Sequence, residues 1–360
     1  VRYLFLHSGR EWSGTARVFA TAARGLARRG HSVTFVAEPD STVEQVVSEV
    51  AASLERRVLD VEPLKFGGAW MGAARKIARL ARQQAADVVL VNSDREHFIA
   101  AVAYRLGSRA RVIRRIPAGQ SMGRNRTGRA AARIAPTFYI FATEREAESG
   151  TVPRAASGHA VVPIGVAEVA QQSDADLAGD DVNVVCIHDA SSRGRAAAAT
   201  RTVAMLAPRH PGLHLVIIGD GIYDDDLKMQ AASLGALHLI TSLGDRADQI
   251  EVMRKAKLGW VVADSDTAVC GILDFMSIGI PVLAPEHSVA GDYVLHDITG
   301  ILVPSDDAFM TAAVTAELLA NDGMREAMGD AARSRVLRQG TEAAMIDGFE
   351  RAAAAADGRH

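Results

Sequence analysis

The sequence predicts an α/β protein built from two doubly wound, parallel-sheet domains. Three observations carry that expectation. Short apolar runs alternate with stretches of helical period from one end of the chain to the other. The length of 360 residues exceeds what one hydrophobic core usually serves. The patterning also breaks once, at 165–182, where the chain turns polar, acidic and aperiodic, as a linker does.

The first domain, 1–164, opens on a strand over 2–7. A loop carrying Gly9 and Gly14 follows, then a helix over 15–29 with Phe19, Ala23, Leu26 and Ala27 on one face. Gly30 stands where a helix C-terminus needs it, and 31–36 is the next strand. Further strands are expected at 87–91, 111–116, 137–141 and 160–163, with helices between them. Beyond the linker the second domain, 183–340, starts with a strand over 183–187 and a helix over 195–207. Strands at 213–218, 237–240 and 258–262 follow, with helices at 223–233, 246–256 and 270–278. Two more strands, 281–283 and 300–303, precede helices running from about 306 to 355. The last of these, within 341–360, is alanine-rich and is placed to cross back onto the first domain. Two such sheets would face each other across a cleft, and ligands of parallel sheets bind at the carboxyl ends of the strands.

Composition narrows the function. A net charge of -3 gives no global pull toward nucleic acid or anionic membrane. Cys186 and Cys270 make neither a disulfide framework nor a zinc pattern and read as buried thiols. No apolar run reaches the roughly 18 residues of a membrane span, and the opening residues read as a strand, so a cytoplasmic protein is expected. Only five of the 40 basic residues are Lys, which with the abundant Ala points to a GC-rich, bacterial genome.

The segment 264–282 is the most informative. Asp266 and Asp274 stand eight apart, the first expected in the loop after strand 258–262 and the second within the first turns of a helix. Backbone N–H groups near Gly271 and Ile272 would then sit at the helix N-terminus, ready for a phosphate. Carboxylates flanking an anion site suit sugar and ribose hydroxyls better than phosphate. Spacing alone favours a solvated loop residue at Asp266 and an exposed helical one at Asp274.

This segment resembles the acidic signature of the family-4 retaining glycosyltransferases of GT-B fold, a Glu-x7-Glu stretch ending in Ala-x-Gly-x-Pro-Val. Asp266 and Asp274 fall on the two Glu positions, and 277–282 on the tail. Other pieces correspond in the same order: Ser13-Gly14-Thr15, Arg29-Gly30-His31-Ser32-Val33, Val162-Pro163-Ile164-Gly165-Val166, 216–221 and Thr299-Gly300-Ile301-Leu302-Val303. The resemblance covers roughly 1–340. It implies transfer of a sugar from a UDP-sugar or GDP-sugar to an acceptor, with retention and with no metal or other cofactor. By position, Asp266 would contact the donor sugar and Asp274 the ribose. His188 and Arg193 would meet the diphosphate, which gains negative charge as it leaves. Gly14 would let backbone approach the phosphates, Leu243 would lie under the base, and Val269, Cys270 and Gly271 would complete the donor site.

The chain departs from the family pattern in four ways. Both acids are a methylene shorter, His188 replaces an Arg, Val269 replaces a Gly, and 114–119 lacks a His that contacts the donor. These keep two other readings open, a catalytically impaired binding or partner subunit and a sugar-nucleotide epimerase.

The stretch 100–141 holds nine Arg and no Asp or Glu. Arg114, Arg115 and Arg124 are expected on an acceptor-side patch for an anionic or membrane-associated substrate, which would place the protein at the inner face of a membrane. Nucleic acid is not expected, because no aromatics interleave the arginines. A homo-oligomer is a further expected partner. His7 and His97, near strand ends, read as hydrogen-bonded structural histidines.

Overall fold

The computed structural model describes residues 1–54, 58–67, 70–120, 126–150, 152–153, 156–168, 182–189, 193–210, 212–219, 224–244, 249–304 and 307–357. The linker expected at 165–182 falls largely outside the described residues. The chain forms two compact units, Val1–Gly165 with Glu342–His360, and Val166–Thr341.

In unit 1, seven parallel strands stand in the order β3-β2-β1-β4-β5-β6-β7. These are β1 (Arg2–His7), β2 (Ser32–Ala37), β3 (Leu59–Pro63), β4 (Val88–Val91), β5 (Arg111–Arg115), β6 (Thr137–Phe141) and β7 (Ala156–Val161). Helix α1 (Gly14–Arg28) starts at Ser13, whose hydroxyl accepts the Ala16 N–H at 3.3 Å. Helix α2 (Thr42–Ala52) crosses from β2 to β3. On one face of the sheet lie α3 (Trp70–Gln83), α4 (Asp94–Ala103) and α5 (Arg126–Ile134). Ala74, Ile77, Ile99 and Ala131 join Leu4, Leu6 and Val89 in one core there. Helix α6 (Glu144–Ser149) connects β6 to β7. Strand β3 escaped the sequence reading because its Leu-Asp-Val-Glu-Pro is a polar edge strand, paired only with β2.

Unit 2 holds six parallel strands in the order β10-β9-β8-β11-β12-β13. They are β8 (Val182–His188), β9 (Leu215–Gly219), β10 (Ile240–Gly244), β11 (Ala256–Val261), β12 (Val282–Pro285) and β13 (Gly300–Val303). The strand expected at 237–240 begins only at Ile240, because 237–239 forms a 3-10 turn. The helices are α7 (Arg193–Leu206), α8 (Asp224–Ser233), α9 (Gln249–Met253), α10 (Asp266–Ser277), α11 (Ala308–Ala320) and α12 (Asp322–Gln339). Chain order reverses direction between β8 and β11, the switch point at which such sheets take ligands.

The last helix, α13 (Glu342–Ala355), belongs to unit 1 and packs on α1. Arg24 pairs with Glu342 at 2.6 Å, Arg29 with Asp347 and Glu350 at 2.6 Å each, and Arg111 with Asp357. A Cβ on Gly25 would fall 1.9 Å from Ile346, so the two helices approach as closely as a bare α-carbon allows.

Candidate functional site

At the switch point of unit 2, Ser265 adopts an extended backbone and caps α10. Its hydroxyl accepts the Thr267 N–H at 3.1 Å and donates to Asp189 Oδ2 at 2.5 Å. Asp189 directly follows β8, so one serine ties together the ends of two neighbouring strands. The cap also starts the helix at Asp266, four residues before the position that apolar periodicity suggested. Two expectations are corrected by this. Asp266 is the first helical residue and not a loop residue, and Gly271 and Ile272 lie more than a turn inside the helix. There backbone N–H groups bond to carbonyls four residues back instead of facing a phosphate.

Gly271 has a different use. A Cβ on it would sit 3.2 Å from Ile187 of β8, and one on Gly259 of β11 would meet the Phe275 ring at 2.6 Å. The two glycines let α10 press onto the sheet, and Val269 and Cys270 are buried in the same helix. The Val269 N–H bonds to the Ser265 carbonyl at 3.2 Å.

Asp266 and Asp274 are 0% and 1% exposed, so neither is the solvated surface residue that spacing alone allowed. They lie on the same helix, roughly 12 Å apart along its axis. Asp274 Oδ2 accepts from Gln249 Nε2 at 2.8 Å, which joins α9 to α10. Residues 264–266 also spell an Asp-x-Asp that the sequence reading passed over. Asp264 is turned to the next loop, its Oδ1 taking the Val289 N–H at 2.9 Å.

His188 ends β8 opposite Gly219 of β9. Its ring is 1% exposed, below the surface on which a diphosphate-binding cation was expected. Gly219 has φ +145°, and a Cβ there would come within 2.1 Å of the His188 carbonyl oxygen. Arg193 begins α7. Leu243 is half-buried near the carboxyl end of β10. In unit 1, Gly14 is buried as the first residue of α1, not in the loop before it.

The arginine patch is corrected in part. Arg114 and Arg115 are buried, because β5 is an interior strand covered on both faces. Arg114 pairs with Asp94 at 3.5 Å. Arg124 lies outside the described residues.

Unit 1 contains a polar residue that the sequence reading did not single out. Glu96 is buried and accepts from the Ser8 N–H and hydroxyl, both at 2.7 Å, the Asn92 N–H at 2.7 Å and the Ser93 N–H at 2.9 Å. Burial works to raise its pKa, but His7 and the donors of Asn92 and Ser8 outweigh it and hold the carboxyl below its ordinary value. The local half of this arrangement, a Ser93-x-x-Glu96 capping box, was readable; the reach to the β1 loop was not. Beside it, burial pulls the His7 pKa down, with Glu96 opposing. His97 Nε2 lies 2.9 Å from the Thr137 hydroxyl, which itself donates to the Ala135 carbonyl at 3.1 Å, so the imidazole donates from Nε2. Burial, aided by Arg114, lowers the His97 pKa to about 3.

Two seven- and six-stranded parallel units with a switch-point site define the class of fold, and solved structures share it. The glycosyltransferase of Rickettsia africae superposes with a TM-score of 0.77 at 13% identity over 100% of both chains. Anabaena HepE, solved with UDP and glucose, gives 0.79 at 16% identity over 97% of this chain and 98% of that one. In sequence, residues 12–116 match Glycosyltransferase Family 4 and residues 174–335 match Glycosyl transferases group 1. The chain is 29% identical over 164 residues to the GDP-mannose-dependent alpha-(1-6)-phosphatidylinositol monomannoside mannosyltransferase of Mycolicibacterium smegmatis, a match spanning 43% of each protein. The chain has the fold of the GT-B glycosyltransferases, and the two family matches fall one in each unit. Among the described residues no helix is long and apolar enough to cross a membrane.

Proposed function

We propose that the protein transfers a hexose-type sugar from a nucleoside-diphosphate sugar to an acceptor hydroxyl, with retention at the anomeric carbon and without a metal. The observation that carries this reading is the pair of buried carboxylates, Asp266 and Asp274, on one helix at the switch point of unit 2. Carboxylates are costly to bury, and a sugar-nucleotide site has hydroxyls for both to accept from. Asp266 orients the sugar and Asp274 the ribose. Arg193, at the start of α7, meets the charge that develops on the leaving diphosphate. That diphosphate takes the acceptor proton as the new glycosidic bond forms.

The base stays open between two relatives, one named for GDP-mannose and one solved with UDP. The mycobacterial relative's name also supplies a lipid-linked polyol as the acceptor class to try first. A second reading, a binding or partner subunit, is favoured by the covered ring of His188.

The test measures nucleoside-diphosphate release from a panel of UDP-sugars and GDP-sugars, with melting temperatures recorded alongside. Asp266→Ala is expected to lower turnover at least about 100-fold while nucleotide affinity stays nearly intact. Unchanged turnover in that variant removes the assignment, and an absence of any nucleotide binding favours the partner subunit. Donor isomerisation without acceptor would identify an epimerase.

A further inference from the structure

Between residues 64 and 135 the chain carries fifteen Lys and Arg but three Asp and Glu, in a molecule whose net charge is -3. Part of this excess gathers on one layer. Helices α3, α4 and α5 form one layer on a single face of the unit 1 sheet, and a π-helical turn at Tyr104–Ser108 adjoins α3. The inward side of α3 consists of Ala73, Ala74, Ile77, Ala78 and Ala81, all buried in the core. Its outward side therefore carries Arg75, Lys76, Arg79 and Arg82, all exposed, and α3 has no acid. Arg105 of the π-helical turn and Arg133 of α5 are exposed on the same layer. The three acids do not neutralise it. Glu96 is buried, Asp87 takes the N–H and the guanidinium of Arg2, and Asp94 lies beside Arg114.

Two apolar side chains accompany the cations. Trp70, at the start of α3, is 41% exposed, its ring edge-on to Phe98 of α4 at 5.1 Å. Leu106, in the π-helical turn, is 40% exposed. A row of cations with a tryptophan at its edge is the chemistry of a protein lying on lipid headgroups, the indole at the interface and the cations on phosphates.

We propose that the outer face of α3, α4 and α5 docks onto an anionic lipid bilayer. The occupant is a membrane surface and not a nucleic acid, because among the described exposed side chains of this layer Trp70 alone offers a ring, and single-strand binding needs several in series. This inference does not depend on the glycosyltransferase reading, since vesicle binding and donor turnover are measured separately.

The test is sedimentation of the full chain with vesicles of phosphatidylcholine alone and of phosphatidylcholine with phosphatidylglycerol, at low and high salt. Binding is expected only to the anionic vesicles, weakening at least about tenfold at high salt. Reversal of Arg75, Lys76 and Arg79 to Glu should cut binding at least about tenfold. The melting temperature of that triple variant should hold, since the three side chains are exposed. Arg209→Glu, an exposed residue just past α7, should change nothing. Trp70 is one of three tryptophans, so a blue shift of emission on anionic vesicles should vanish in Trp70→Phe. No binding, equal binding to both vesicle types, or an unaffected triple variant overturns the proposal. Tighter binding to short RNA than to vesicles, lost in the triple variant, would overturn it in favour of a nucleic-acid surface.

Discussion

The Ser265 hydroxyl donates to Asp189 Oδ2 at 2.5 Å while accepting the Thr267 N–H at 3.1 Å. One side chain therefore starts α10 and holds the end of β8 against the end of β11. Ser265→Ala removes a helix cap and a hydrogen bond to a carboxylate together, and a loss of about 2–3 kcal/mol is expected. Asp189→Asn keeps an acceptor at the same place and should cost less. Urea unfolding of the two variants checks the order, and equal losses would contradict it.

Gly259 and Gly271 predict opposite outcomes for the same substitution. At Gly259 the new methyl would meet the Phe275 ring at 2.6 Å inside a packed core, so Gly259→Ala should destabilise by about 1–3 kcal/mol. At Gly271 the nearest atoms belong to the Ile187 side chain at 3.2 Å, and alanine gains helix propensity of about 1 kcal/mol. Gly271→Ala should be close to neutral. Thermal unfolding of both decides it.

Gln249 donates to Asp274 from a short helix of its own. Gln249→Leu would leave the buried carboxylate one donor short, with an expected loss of about 1–3 kcal/mol in the nucleotide-free protein. If Asp274 holds the ribose, nucleotide should raise the melting temperature of this variant by less than it raises the parent's. Equal stabilisation of both proteins would separate Asp274 from the ribose.

Acid should unfold unit 1 in two windows. His97 has a folded pKa of about 3 against an ordinary 6.5. At neutral pH and above it is uncharged in both states and adds no pH dependence. Below 6.5 the unfolded chain binds a proton that the folded chain refuses, so stability falls by up to about 1.4 kcal/mol per pH unit. His7, also depressed, acts in the same direction. Glu96, ordinarily 4.5, contributes stability that is complete above that value and is lost as pH falls through its lower folded pKa. His97→Gln should therefore flatten the slope between pH 6 and 4.5 and leave the later step, whereas Glu96→Gln should flatten the later step. Denaturant midpoints measured across pH read both.

The alternation of apolar runs and helical periods made both sheets legible, because parallel strands buried on two faces must be apolar throughout. Strand β3 was missed since an edge strand is free of that demand. In α10 the cap is spelled plainly by Ser265 before Asp266, but the apolar period becomes distinct only from Cys270, four residues after the helix begins. With it went the assignment of Gly271 to a phosphate, because the atoms nearest Gly271 belong to Ile187 of β8, far away in the sequence. Arg114 and Arg115 read as surface charge because residue type says nothing of which strands flank β5. Glu96 shows the same limit, since two of its four donors, the N–H groups of Asn92 and Ser93, lie within four residues, yet the two from Ser8 that brace the β1 loop span 88 residues. Long-range pairing, rather than local pattern, decides which charges are inside.

The return of α13 to unit 1 has a consequence for how the protein is made. The chain leaves unit 1 after Gly165 and re-enters it at Glu342, and at that point Val166 bridges to Thr341, its N–H bonded to the Gly340 carbonyl at 2.9 Å. Unit 2 is thus an insertion within unit 1. During synthesis, all of unit 2 is available to fold while α1 still waits, its Gly25 groove open, for the helix that carries Ile346. The unit whose synthesis begins first is the last to be finished.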